Sequence, residues 1–275
     1  MAMHLIRAGL EVSVYNRTAA KTEPHRLAGA FVTRSLEELG KRCGIVFICV
    51  SDTPDVEEVI FSSEGLGSGL APGALIVDHS TISPSASREM AARLARQGIG
   101  FVDAPVSGGT KGAVEGRLVV MMGGSERDIE RIRPLISHYT AKAVHVGPVG
   151  SGQLMKCCNQ LVTGHHVLAL AEGFRFAESL GLDPALVHEV IGCGAGQSFI
   201  WNNWGERLKE GDLSPGFKIS LHRKDIYLVR EECERLGLKL PGLRLLAELY
   251  DRAVEKGLGE LGDQALIKVL DQEDS

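Results

Sequence analysis

Lys156 stands on a largely apolar stretch, with Asn159 and Gln160 three and four positions later. In a helix this spacing puts all three on one face, so that one ammonium and one amide can be aimed into a single cavity. A lone lysine in such a setting would instead run its charge out to solvent. Upstream, the segment Phe101-Val-Asp-Ala-Pro-Val-Ser-Gly-Gly-Thr-Lys-Gly-Ala113 places Ser107, Gly108 and Gly109 just after an apolar run and Pro105. Glycines let main-chain N–H groups approach an anion, and a hydroxyl adds a donor. The segment is therefore either a small nest for a carboxylate or a tight turn that needs glycine. An ammonium and a carboxylate nest suit hydride transfer on a small hydroxy acid, because charge develops on the reacting oxygen and the acid group must be held beside it.

The elements that must position these groups change character along the chain. Val- and Ile-rich runs at 10–15, 30–32, 45–50, 75–78, 100–103, 118–122 and 143–146 alternate with helical stretches at 37–42, 55–61, 84–97 and 126–137. Continuous apolar strands alternating with helices predict an α/β, doubly wound, mostly parallel Rossmann-type sheet covered on both faces. After Gly147-Pro-Val-Gly-Ser-Gly152 the strand-like runs stop. A helix is predicted over 153–180, with apolar residues too numerous for one stripe, as expected of an element lying between others. Further helices are predicted at 184–191, 198–208, 220–236 and 243–256. The expected organisation is a nucleotide-binding domain over 1–149 and an all-helical domain over 150–275 that begins with a long linking helix.

In a doubly wound sheet, ligands lie beyond the carboxyl ends of the strands. Asn16, Arg17 and Thr18 follow the first strand-like run, where an acidic residue would accept hydrogen bonds from an NAD ribose. No acid is present. Arg17 offers a planar fork suited to a 2'-phosphate, so NADP(H) is the expected cofactor, with NAD(H) possible. The arginine could also stack on an adenine or pair with a surface acid. Val50 and Ser51 follow a further strand and Thr81 another, which puts them on the cofactor edge, while Asp52 and Asp78 are equally suited to capping helices. His79 reads as a loop residue. Lys224 and Asp225, taken alone, read as solvated charge.

Composition narrows the possibilities further. The chain has 275 residues, 44% of them hydrophobic, enough for a sizeable core. Its 30 basic and 35 acidic residues leave a formal charge of -5, without a long basic run, so no nucleic-acid partner is expected. No apolar run reaches the ~18 residues of a membrane span. The 6 cysteines and 9 histidines show no metal-binding spacing, so no metal is expected. Reduced thiols in apolar segments suit the cytoplasm. Gly192-Cys-Gly-Ala-Gly-Gln-Ser198 is glycine-rich but follows a helical pattern, and reads as an interhelical turn on the substrate side rather than a phosphate cradle.

The opening is unusual. Met1 to Gly9 reads as the latter part of a helix, with no preceding strand and no Gly-x-Gly-x-x-Gly. In the usual strand order that strand is central, and its neighbours would be left with unpaired main-chain groups, each buried one costing about 1–3 kcal/mol. The natural protein is therefore expected to carry roughly 10–20 further residues supplying that strand and turn. The alternative is a rearranged sheet that manages without them.

Several of these segments together resemble the beta-hydroxyacid dehydrogenases, in the branch of 3-hydroxyisobutyrate dehydrogenase and 2-hydroxy-3-oxopropionate (tartronate semialdehyde) reductase. Asp103-Ala-Pro-Val-Ser-Gly-Gly109 resembles the family's substrate-binding motif. Gly152 through Lys156 to Gln160 resembles its catalytic motif. Pro215-Gly-Phe-Lys and Leu221-His-Arg-Lys-Asp225 resemble its late substrate and cofactor contacts. The resemblance covers essentially the whole chain.

It implies that Lys156 donates a proton to the carbonyl oxygen, that Ser107, Gly108, Gly109, Asn159 and Gln160 bind substrate, and that Phe217 lines the cavity. It also implies that Lys224 reaches the cofactor and that Asp225 supports this region. Gln160 stands where the family often has asparagine, and Gly262-Asp-Gln-Ala265 departs from the Asp-His-Ser common near the C-terminus of the tartronate semialdehyde reductases. The expected activity is NADP(H)-preferring interconversion of a small 3-hydroxy acid and its semialdehyde or 3-oxo acid, by a homodimer or homotetramer. The alternatives are an imine reductase-like enzyme, whose branch generally lacks a lysine at the place of Lys156, an inactive fragment, or a non-catalytic nucleotide-binding relative.

Overall fold

The computed structural model describes residues 1–270, and the chain forms two compact units, Met1–Lys156 and the residues from Cys157 onward. The first unit alternates strands and helices. Its elements are α1 (Ala2–Arg7), β1 (Ser13–Val14), α2 (Glu23–Leu27), β2 (Phe31–Val32), α3 (Leu36–Arg42), β3 (Ile45–Ile48), α4 (Thr53–Phe61), α5 (Leu66–Gly69), β4 (Leu75–Asp78), α6 (Pro84–Ala95), β5 (Gly100–Asp103), β6 (Val106–Ser107), α7 (Gly109–Glu115), β7 (Leu118–Gly123), α8 (Glu126–Ile136) and β8 (Thr140–Gly147). The long helix α9 (Ser151–Ser179) follows, and then α10 (Pro184–Cys193), α11 (Phe199–Lys209), α12 (Ile219–Leu236) and α13 (Pro241–Glu255).

β3, β4 and β5 pair in parallel, β7 joins β5 and β6 antiparallel, and β8 runs parallel to β7. Every side chain of β4 is buried, as a strand covered on both faces requires. Alternation divides the apolar residues between two cores. Leu75, Val77 and Val102 face one, with Ile129, Ile132 and Ile136 of α8, while Ile76 and Phe101 face the other, with Ile60, Met90 and Leu94. The three α8 isoleucines recur three and four residues apart, which puts them on one helix face.

The mostly parallel sheet followed by helices agrees with the expectation, and particular elements differ from it. β1 and β2 form a separate two-stranded parallel sheet, with no strand joining it to the six-stranded one among the described residues. The run 10–15 contributes only Ser13–Val14 as strand, and α6 ends at Ala95 rather than at position 97. Ser107 does not lie in a turn. As part of β6 it pairs with Val119 of β7, and Gly109 opens α7.

In the second unit, Val167, Leu170 and Phe174 of α9 pack with Trp201, Ile226, Leu246 and Tyr250, and the short 3-10 segment Asp263–Val269 closes this core with Leu266. Gly173 leaves room for the indole, since a Cβ there would lie 3.1 Å from Trp201. The excess apolar surface of α9 is not all covered by the described residues. Val162 and Phe176 remain 53% and 68% exposed.

Candidate active site

At the carboxyl edge of the first unit, the loops after β3 and β4 are tied together. The Val50 N–H donates to Ser80 Oγ at 2.9 Å, and the Ser83 N–H to Thr53 Oγ1 at 3.1 Å. Asp52 caps α4 through the Thr53 N–H, and Asp78 accepts from the Ser80 N–H. Gln153, fully buried, holds the second loop from both sides. Its Oε1 accepts from the Ile82 N–H and its Nε2 donates to the Ser80 carbonyl at 2.8 Å, bracketing Thr81. In the loop after β1, Asn16 Oδ1 accepts from the Thr18 N–H at 2.8 Å, a local turn that leaves Arg17 exposed.

The glycine segment has the backbone that only glycine adopts readily. Gly108 and Gly109 have φ of 123° and 62°, and Gly109 has open space around it. Asp103, at the end of β5, has a role that its motif did not reveal. Its carboxylate accepts from the Gly150 and Gln153 N–H groups at 2.7 and 2.9 Å, so it caps the helix that carries Lys156. Burial pushes this carboxyl up to about 6, against the opposing pull of those N–H groups.

On α9, Lys156 is only 7% exposed, which rules out a side chain lying free in solvent. One turn on, the buried Oδ1 of Asn159 meets no hydrogen-bond donor among the described residues. Such an oxygen is costly unless a ligand or water supplies the donor. Gln160 Nε2 donates to Asp225 at 2.6 Å, a contact within reach of its longer side chain, and Lys224 Nζ lies 2.9 Å from the other Asp225 oxygen. Asp225 is nearly fully buried, so this pair is not the solvated surface charge that its residue types alone suggest. Phe217 stacks obliquely on His222, with ring centroids 5.5 Å apart.

Two histidines have a buried structural role that the sequence does not show. His79 lies in the loop after β4 yet is buried, with Nδ1 2.6 Å from the Ala104 carbonyl and Nε2 2.8 Å from the Tyr139 hydroxyl. Burial lowers it to about 4, so it is neutral, donating from Nδ1 and accepting at Nε2. His222 is the other. Partners this distant in sequence leave no local signal. All six cysteines are free, and among the described residues no group of three or more His, Cys, Asp or Glu is gathered to hold a metal.

A Rossmann-type sheet with loops gathered at the carboxyl ends of its strands, followed by a helical unit, is the architecture of a dinucleotide-binding protein. Residues 1–147 match the NAD binding domain of 6-phosphogluconate dehydrogenase, and residues 150–270 the NAD-binding domain of NADP-dependent 3-hydroxyisobutyrate dehydrogenase. The chain is 36% identical to 2-hydroxy-3-oxopropionate reductase of Escherichia coli, over 98% of this chain and 92% of that one. A crystal structure of 3-hydroxyisobutyrate dehydrogenase from Salmonella typhimurium aligns with a TM-score of 0.91 at 28% identity, covering 98% of this chain and 94% of the other. Psf3 in complex with NADP+ and 2-OPP aligns with a TM-score of 0.92 at 25% identity, covering 98% and 95%.

The chain belongs to the beta-hydroxyacid dehydrogenase family, in the branch of 3-hydroxyisobutyrate dehydrogenases and 2-hydroxy-3-oxopropionate reductases. It is an NAD(P)-dependent oxidoreductase. The loops after β3 and β4 are paired at the carboxyl ends of their strands, and Arg17, after β1 of the smaller sheet, is exposed. Among the described residues no helix is long and apolar enough to cross a membrane.

Proposed function

We propose that this enzyme interconverts a small 3-hydroxy acid and its semialdehyde or 3-oxo acid, such as tartronate semialdehyde or 3-hydroxyisobutyrate and their redox partners, with a preference for NADP(H). The observation that carries this reading is the nearly buried Lys156 one turn from the donorless Oδ1 of Asn159. A nicotinamide cofactor, when bound, would supply the hydride that adds to the carbonyl carbon. Lys156 delivers a proton to the carbonyl oxygen as charge develops there, giving the hydroxyl, and takes it back in the oxidative direction.

Ser107 with the Gly108 and Gly109 N–H groups holds the substrate carboxylate, and Asn159 accepts from a substrate hydroxyl. Gln160 is oriented for substrate by Asp225. Phe217 lines the substrate side. Arg17, with Asn16 and Thr18, would hold the ribose 2'-phosphate, and Val50, Ser51, Thr81 and Lys224 would hold the remainder of the cofactor. The exposed Phe176 and Val162 on α9 support self-association as a homodimer or homotetramer, which light scattering would measure. Free cysteines support a cytoplasmic setting.

The test is a panel of small aldehyde acids and hydroxy acids with both cofactors, run on the wild type and on Lys156→Ala. The variant is expected to lose roughly 10²–10⁴-fold in kcat while keeping its cofactor affinity. A loss below about threefold would remove Lys156 from the proton-transfer step.

A further inference from the structure

His222 takes no part in the chemistry proposed above, yet it is fully buried on α12 with a partner at each ring nitrogen. Its Nδ1 lies 2.6 Å from Asp263 Oδ2 and 2.8 Å from the Tyr250 hydroxyl, and its Nε2 lies 3.2 Å from the main-chain carbonyl of Gln160. A carbonyl only accepts, so Nε2 must carry a hydrogen to make that contact. The Asp263 carboxylate accepts from Nδ1 and from Tyr250 as well. Burial opposes charge on this ring, and Asp263, reinforced by Asp225, outweighs it and leaves the imidazole more basic than usual.

The approach to α9 is open because residue 164 is glycine. A Cβ there would lie 3.1 Å from Leu246, 3.2 Å from Ile226 and 3.7 Å from His222 Nε2. Gln160 is thus gripped twice, by His222 at its main chain and by Asp225 at its amide.

We propose that His222, braced by Asp263 and Tyr250, is a positioning residue that pins the main chain of α9 at Gln160 and thereby sets the register of the helix face presenting Lys156 and Asn159. The kinetic part of its test rests on the proposed function. The structural part does not.

Two substitutions separate the ring nitrogens. His222→Gln places an amide donor at the reach of Nε2, whereas His222→Asn reaches only as far as Nδ1. Displacing a reacting group by about an ångström can cost ~100-fold, so His222→Asn is expected to lower kcat by ~10–100-fold with the cofactor KM changed less than about threefold. His222→Gln should recover at least about tenfold of that loss. Amide hydrogen exchange across 160–168 should quicken in His222→Asn and stay near wild type in His222→Gln.

Wild-type kcat in His222→Asn, or equal losses in both variants, would overturn the proposal. Should neither variant fold, heteronuclear NMR of the wild-type histidine rings decides it, because a neutral-pH His222 with an unprotonated Nε2 cannot hold the carbonyl. A wild type inactive on every acid of the panel would overturn the proposed function instead, leaving the exchange and NMR readouts to judge His222.

Discussion

Arg17 carries its guanidinium into solvent beside a turn closed by the Asn16 side chain, a placement suited to a phosphate arriving from outside. Hydrogen bonds to charged groups contribute about 1.5–3 kcal/mol. Arg17→Ala should therefore lower kcat/KM with NADPH by roughly 10–100-fold and with NADH by less than about threefold. Steady-state kinetics with both cofactors checks this, and equal losses would assign Arg17 another job, such as stacking on the adenine. At this scale the spacing of Lys156, Asn159 and Gln160 could be read directly, since three- and four-residue intervals share a helix face. The orphaned oxygen of Asn159 and the Asp225 contact of Gln160 could not. They depend on which groups α12 brings alongside α9.

The start of α9 shows how one element is set by another. Gly152 lets the helix pass so close to the ends of β5 and β7 that a Cβ there would lie 2.5 Å from the Met121 carbonyl and 2.7 Å from the Asp103 carbonyl. Both obstacles are main chain and cannot swing aside. Gly152→Ala should destabilise the protein by about 1–3 kcal/mol or more, because overpacking against fixed backbone forces the helix outward. Thermal denaturation would show it as a lowered Tm, and an unchanged Tm would mean that the helix start has slack. The strands β4 and β5 and the isoleucine face of α8 could be found from apolar runs and helical period. β6 was missed because two residues are too short to show a period, and their strand state comes from pairing with β7. α7 was missed because three of its seven residues are glycine or threonine, poor helix formers held by their surroundings.

For the molecule as a whole, two buried groups give stability opposite responses to pH. His79 falls from 6.5 to about 4 on folding, so the unfolded chain takes up its proton first and the stability it contributes, roughly 3 kcal/mol, is lost as pH drops from about 6.5 through 4. Asp103 rises from 3.8 to about 6, so its contribution is present at low pH and lost as pH rises through about 6. The two slopes largely cancel in the wild type.

His79→Asn keeps a donor for the Ala104 carbonyl and removes the titration, so its stability relative to wild type should improve steadily as pH falls from about 6.5 to 4. Urea unfolding at several pH values measures this, and a constant difference would show that His79 does not titrate as a buried neutral ring. Neither group could be singled out from the sequence. Fold class, the change from strands to helices near Gly147 and the lysine face of α9 were determined by the sequence itself, because period and residue type act locally. Tertiary structure alone decided that Asp103 caps α9 across 47 residues, that Gln153 straps the loop of Thr81, and that Asp263 braces His222 across 41. In each case a polar group removed from water must find its partner wherever the packed chain brings one, and no local pattern records where that is.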